Sequence, residues 1–85
     1  MDKITRHVIE RMAERLKRTI DGEGYNALCQ AAHKGFVVER KTTSSKRVFR
    51  FQRKWLLAVY DEQKCRVVTC WRPHKKIIEK ARLAS

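Results

Sequence analysis

Acidic residues are scarce in this chain, and so are the residues that interrupt regular structure. Nine Asp and Glu stand against 21 Lys and Arg in 85 residues, a formal net charge of +12. Such an excess points to a polyanionic partner: nucleic acid, an anionic membrane or an acidic protein. One proline and three glycines supply neither a flexible linker nor a glycine-rich loop to cradle a nucleotide phosphate. No apolar run approaches the ~18 residues of a membrane span. The opening stretch through His7 has no apolar core after its charges, unlike a secretory leader. Three cysteines, Cys29, Cys65 and Cys70, form an odd set without secretory framing. Free thiols in a reducing compartment are therefore expected, with the protein in the cytoplasm and no membrane partner.

What is present suffices for one small domain over residues 1–85. A hydrophobic fraction of 42% provides a compact core. The charge is unevenly spread: residues 1–40 hold eight basic and six acidic residues, residues 41–85 hold 13 and three. A basic half joined to a near-neutral half suggests a binding face.

Periodicity outlines the elements. Val8, Met12, Leu16 and Ile20 recur every four residues and predict a helix over about 3–20, closed by Asp21-Gly22. Tyr25, Leu28, Cys29 and Ala32 share one side of a second helix over about 23–34, and Gly35 suits the left-handed position after its end. The period then shortens. Phe36–Val38 opens a β-rich stretch, and 42–46 is a polar turn. Val48–Gln52 alternates, Trp55–Tyr60 is apolar enough for a central strand, 61–64 turns, and Arg66–Trp71 is rich in β-branched residues. Pro73 ends the last strand, and 74–84 has room for a short terminal helix. The expected fold is α+β: two N-terminal helices packed on a four-stranded antiparallel meander. The other sheet face is left open, with Arg50 beside it.

The sharpest local pattern is His7, Arg11 and Arg15, four residues apart and hence one polar row beside the Val8-Met12-Leu16 stripe. The nine residues from His7 to Arg15 (His-Val-Ile-Glu-Arg-Met-Ala-Glu-Arg) and the last strand Val67-Val-Thr-Cys-Trp71 resemble a family of small bacterial and phage domains. That family opens on a His-x-x-x-Arg-Met-x-x-Arg helix and ends in an antiparallel sheet. It is similar to the RelE/barnase-like superfamily of metal-independent ribonucleases and toxins. The resemblance implies that His7 is the general acid or base and that Arg11 or Arg15 clamps the phosphate. Thr69, Trp71 or His74 would approach from the end of the last strand. Metal-free RNA cleavage needs a proton carrier near neutral pH and cations where negative charge builds. Without the resemblance, the row reads as a solvated helix face.

The second pattern is a basic rim: Lys41, Lys46, Arg47, Arg50, Arg53, Lys54, Arg66 and Arg72, interleaved with Phe49, Phe51, Trp55 and Trp71. These cations suit phosphate contacts. Most of the aromatics read as core; Trp71 and Tyr60 are the candidates for stacking on bases. Cys29-x-x-x-His33 and Cys70-x-x-x-His74 carry zinc-type donors. Cys29 lies in an apolar stripe and Pro73 interrupts the second pair, so neither metal nor cofactor is expected. The function expected is a metal-independent ribonuclease-like RNA-binding domain, a toxin or a phage host-directed protein. The alternatives are a non-catalytic nucleic-acid-binding regulator and a basic inhibitor docking on an acidic host protein. A toxin would bring with it an acidic antitoxin.

Overall fold

The computed structural model describes residues 2–84. Helix α1 spans Lys3–Leu16 and α2 Gly22–His33; strands β1 (Phe36–Arg40), β2 (Ser44–Phe51), β3 (Lys54–Asp61) and β4 (Arg66–Trp71) follow, then α3 (Lys75–Ala84). The strands pair antiparallel in chain order, so the sheet is a meander in an α+β fold.

Each N-terminal helix begins on an aspartate. Asp2 Oδ1 accepts the Thr5 N–H at 2.8 Å, and Asp21 Oδ1 accepts the Gly24 N–H at 2.8 Å, each satisfying a donor that the first helical turn leaves free. Asp21 therefore opens α2 rather than closing α1. Helix α1 is shorter than its apolar stripe implies. It stops at Leu16 because Lys17 turns left-handed (φ 54°), and the Arg18 N–H returns to the Met12 carbonyl at 3.1 Å. Ile20 still packs into the core, but from the connecting loop. Gly35 also departs from expectation, since no described glycine has a positive φ. A Cβ there would stand 3.1 Å from Phe49 Cβ and from the Ala32 and Val48 carbonyl oxygens. Close approach of α2 to β2, not left-handed geometry, selects glycine.

Alternation along the strands builds the core. Phe49 faces Leu56 and Arg47 faces Ala58 across the β2–β3 pair, and Ser45 faces Tyr60. Phe49, Leu56, Ala58 and Tyr60 thereby join Val8, Met12, Tyr25 and Leu28 of α1 and α2 in one apolar cluster. Full burial of Met12 and Leu28 contributes about 2 kcal/mol each. A bulge interrupts β4, where Val59 pairs with Thr69 but Tyr60 pairs with Val67. Helix α2 pins this irregular segment. The Tyr25 hydroxyl donates to the Val67 carbonyl at 2.6 Å, and the Val67 N–H donates to Cys29 Sγ at 3.3 Å.

The second sheet face is not wholly open. Helix α3 lies against β1 and β2 there, leaving Val48 only 1% exposed and Ala81 4%. No described helix is long and apolar enough to cross a membrane.

Candidate nucleic-acid interface

The two ends of the sheet differ in charge. One end carries the β1–β2 and β3–β4 turns and most of the ion pairs. There Lys41 and Lys46 lie 3.8 and 3.7 Å from Glu39, Arg40 lies 3.1 Å from Glu62, and Arg66 lies 2.7 Å from Asp2. Arg47 is only 7% exposed. Its Nη2 donates to Glu62 at 2.9 Å, its Nη1 to the His33 carbonyl at 2.7 Å and its Nε to Ser45 at 2.9 Å. Its guanidinium lies 4.6 Å from the centre of the Tyr60 ring. Arg47 falls on the face of β2 that packs against the helices, so the structure gives this member of the basic rim an internal role.

The same network sets the acidity of its members. Ser45, then Arg47, hydrogen-bond to Glu62 and hold its carboxyl below the ordinary value. The Thr5 backbone N–H and then Arg66 do the same for Asp2. The Tyr60 hydroxyl, 2.9 Å from His33 Nδ1, is pushed up to about 12, chiefly by burial.

At the opposite end the cations stand unpaired. The loop after α1, the tip of the β2–β3 hairpin and the chain leaving β4 converge there. Between them lies a cleft of about 490 Å³ lined by Lys17, Arg18, Gln52, Lys54 and Arg72. It shares Arg18, Lys54 and Arg72 with an adjoining hollow of about 280 Å³, where Arg53 joins Trp55, Pro73 and Ile78. No Asp or Glu lines either space. None of Lys17, Arg18, Arg53, Lys54 and Arg72 makes an ion pair among the described residues. Arg18 Nη1 donates to Gln52 Oε1 at 3.0 Å, while Arg18 Nε is buried without a partner among the described residues.

The backbone around this basic pole is strained. Lys17, Gln52 and Arg53 have φ of 54°, 49° and 69°, and none is glycine. Left-handed geometry at both central residues of a two-residue hairpin matches strand twist but favours Asn-Gly. Gln-Arg there costs about 1 kcal/mol or more per residue. Arg50 supports the hairpin: its Nη2 donates to the Arg53 carbonyl at 3.1 Å, and its guanidinium lies 5.8 Å from the Trp55 ring centre.

Lys17 and Arg18 escaped the sequence reading because the apolar stripe placed them inside a helix. Their closeness to Arg15, which makes three cations within four residues, was the available signal.

The His7-Arg11-Arg15 row runs beside β4. Asp2 meets Arg66 at one end of this pairing, and at the other the Arg15 Nη1 donates to the Cys70 carbonyl at 3.3 Å. Arg15 also lies 5.8 Å from the Trp71 ring centre, which brings the row to the basic pole. Arg11 is tied to Glu14 at 2.6 Å. His7 is half-buried, and no hydrogen bond reaches it from the described residues. Two helical turns separate it from Arg15, about 12 Å along the axis. Thr69 pairs with Val59 and so lies on the sheet face turned away from α1. His74 sits at the start of α3, where its Nδ1 accepts the Lys76 N–H at 3.3 Å. The structure thus joins Arg15 to Trp71, but it does not gather Thr69 and His74 around His7.

Among the described residues no three His, Cys, Asp or Glu side chains are placed to hold a metal ion. Cys70 is fully buried, and burial raises its thiol pKa to about 11. No family model, curated protein or solved structure matches this chain.

Proposed function

We propose that this protein binds nucleic acid, with RNA as the first candidate, through the basic pole. One observation carries the reading: five cations line a continuous concave surface with no acidic side chain in its lining. Side chains already neutralised by carboxylates gain little from a phosphate. Unpaired ones release condensed counterions when they meet the backbone, which makes affinity steeply salt-dependent. The Arg18–Gln52 strut and the strained hairpin hold several of these cations in place before any ligand arrives, which lowers the ordering cost of binding. A regulator or host-directed protein of the cytoplasm fits this reading, as do three free thiols. An acidic antitoxin or host protein would cover the same pole.

The test is fluorescence anisotropy with a labelled single-stranded RNA across a salt series. Wild-type protein is compared with the Lys17→Ala/Arg72→Ala double variant and with Lys41→Ala at the far end. The double variant is expected to bind at least ten-fold more weakly, with a salt slope shallower by about two. Lys41→Ala should bind as wild type. Equal affinities for all three proteins would sink the reading.

A second reading, metal-independent cleavage of that RNA in the manner of the RelE/barnase-like ribonucleases, is favoured by the unbonded His7 ring on the row that Arg15 carries to the pole. His7 would move the proton, and Arg11, one turn away, or Arg15 would hold the phosphate. Incubation with RNA in EDTA decides it: wild type should cut and His7→Ala should not.

A further inference from the structure

The basic pole has two lobes of different chemistry. The larger, about 490 Å³, has a lining that is polar except for Leu16 and includes the cations Lys17, Arg18, Lys54 and Arg72. The smaller, about 280 Å³, keeps three of those cations at its rim but adds Trp55, Pro73 and Ile78. A surface that only tracked the phosphates of a duplex would have no use for an apolar hollow between its cations. Exposing that hollow to water is unfavourable, and the strained hairpin beside it adds to the cost.

We infer that the two lobes together hold one unpaired nucleotide, its phosphate among Lys17, Arg18 and Arg72 and its base against Trp55, Pro73 and Ile78. The inference rests on the nucleic-acid reading and deepens it by naming single-stranded polynucleotide as the ligand class. An indole ring and a pyrrolidine ring offer flat apolar walls, which suit a planar base more than a flexible acyl chain. A paired base is stacked within its duplex and cannot enter. Arg18 and Arg72 line both lobes, so a phosphate held there leaves the attached base within reach of the apolar one. Trp55 is half-buried, and Arg50 stands over its ring and fixes its orientation.

The test compares three labelled ligands of equal length at one salt concentration: a ten-nucleotide single strand, the same strand lacking its bases, and a duplex. Tryptophan emission is followed in parallel. The base-bearing strand is expected to bind roughly ten-fold tighter than the abasic one, to exceed the duplex, and to quench tryptophan emission. Trp55→Leu, which keeps the site apolar but removes the flat ring, should erase the preference for bases and leave abasic binding intact. Equal affinity of wild type for all three ligands overturns the inference while leaving the basic pole as a phosphate surface. A Trp55→Leu loss shared equally by both single strands also overturns it, by making Trp55 merely structural. Absence of binding to any ligand at low salt defeats the nucleic-acid reading itself. Binding only to anionic phosphatidylglycerol vesicles would overturn both in favour of a lipid surface.

Discussion

Arg18 donates to the Gln52 side-chain oxygen at 3.0 Å, bridging 34 residues of sequence to tie the end of α1 to the tip of the β2–β3 hairpin. Both ends of this strut lie at backbone irregularities: Lys17, next to Arg18, and Gln52 itself have positive φ. The contact turns two strained segments into one wall of the cationic cleft.

Replacing Arg18 with alanine removes a cation of the cleft and the strut together. RNA affinity is expected to fall about ten-fold, and the slope of log affinity against log salt to fall by about one. Stability should change by less than about 1 kcal/mol, because the Gln52 oxygen left behind is solvated. Anisotropy over a salt series and a thermal melt separate the two effects.

Arg53→Gly should move stability and binding in opposite directions. Arg53 has φ 69°, a conformation glycine adopts freely. Relief of strain is expected to stabilise the fold by about 1 kcal/mol, raising Tm by about 4–8 °C, while nucleic-acid affinity drops. A variant that melts lower than wild type would contradict the account of the hairpin.

Arg47→Ala should be the most damaging of the rim substitutions. It removes hydrogen bonds to Ser45, the His33 carbonyl and Glu62 and opens a void beside Tyr60. A loss of about 3 kcal/mol is expected, against less than about 0.5 kcal/mol for exposed Lys41→Ala. Denaturant unfolding of the two variants checks the contrast.

Stability should be lost at both extremes of pH. The carboxyls of Asp2 and Glu62 sit below their ordinary values of 3.8 and 4.5 in the folded protein. Their contribution is fully present above those values and is lost as pH falls through the lowered ones. Burial raises Tyr60 from 10.0 to about 12. That contribution is present below 10 and disappears as pH climbs toward 12. A Tm profile should be flat between the two windows, and Glu62→Gln should blunt the acid limb.

The thiols should react in order of access. Cys65 is exposed in the turn before β4, whereas Cys70 is buried with a thiol raised to about 11. A thiol-reactive dye at neutral pH should label Cys65 in the native protein and Cys70 only after unfolding. Mass mapping of the labelled peptides reads this directly.

Much of the architecture was legible because its causes are local. A four-residue apolar repeat declares α1, alternation around Phe49 and Phe51 declares β2, and short polar turns leave the strands no pairing but a meander. The exceptions are also physical. The stripe ran on to Ile20 although the helix stops at Leu16, since an apolar residue can reach the core from a loop as well as from a helix. The open sheet face was overestimated because amphipathicity in α3 says that it packs, not where.

The candidate site was legible in part. Arg53, Lys54 and Arg72 were singled out, and they do stand together. Lys17 and Arg18 were missed, and Arg47 and Arg66 are taken up in ion pairs, the first buried and the second at the surface. The sequence by itself determined the element order, the α+β class and the large positive charge, all of which follow from composition and short-range periodicity. Only the tertiary structure decided which cations are neutralised and which are free. Ion pairing depends on distance through space: Arg66 finds Asp2 across 64 residues and Arg47 finds Glu62 across 15. The fold brings Asp2, Glu39 and Glu62 to the cations at one end of the sheet, while no carboxylate of the described residues lines the cleft at the other.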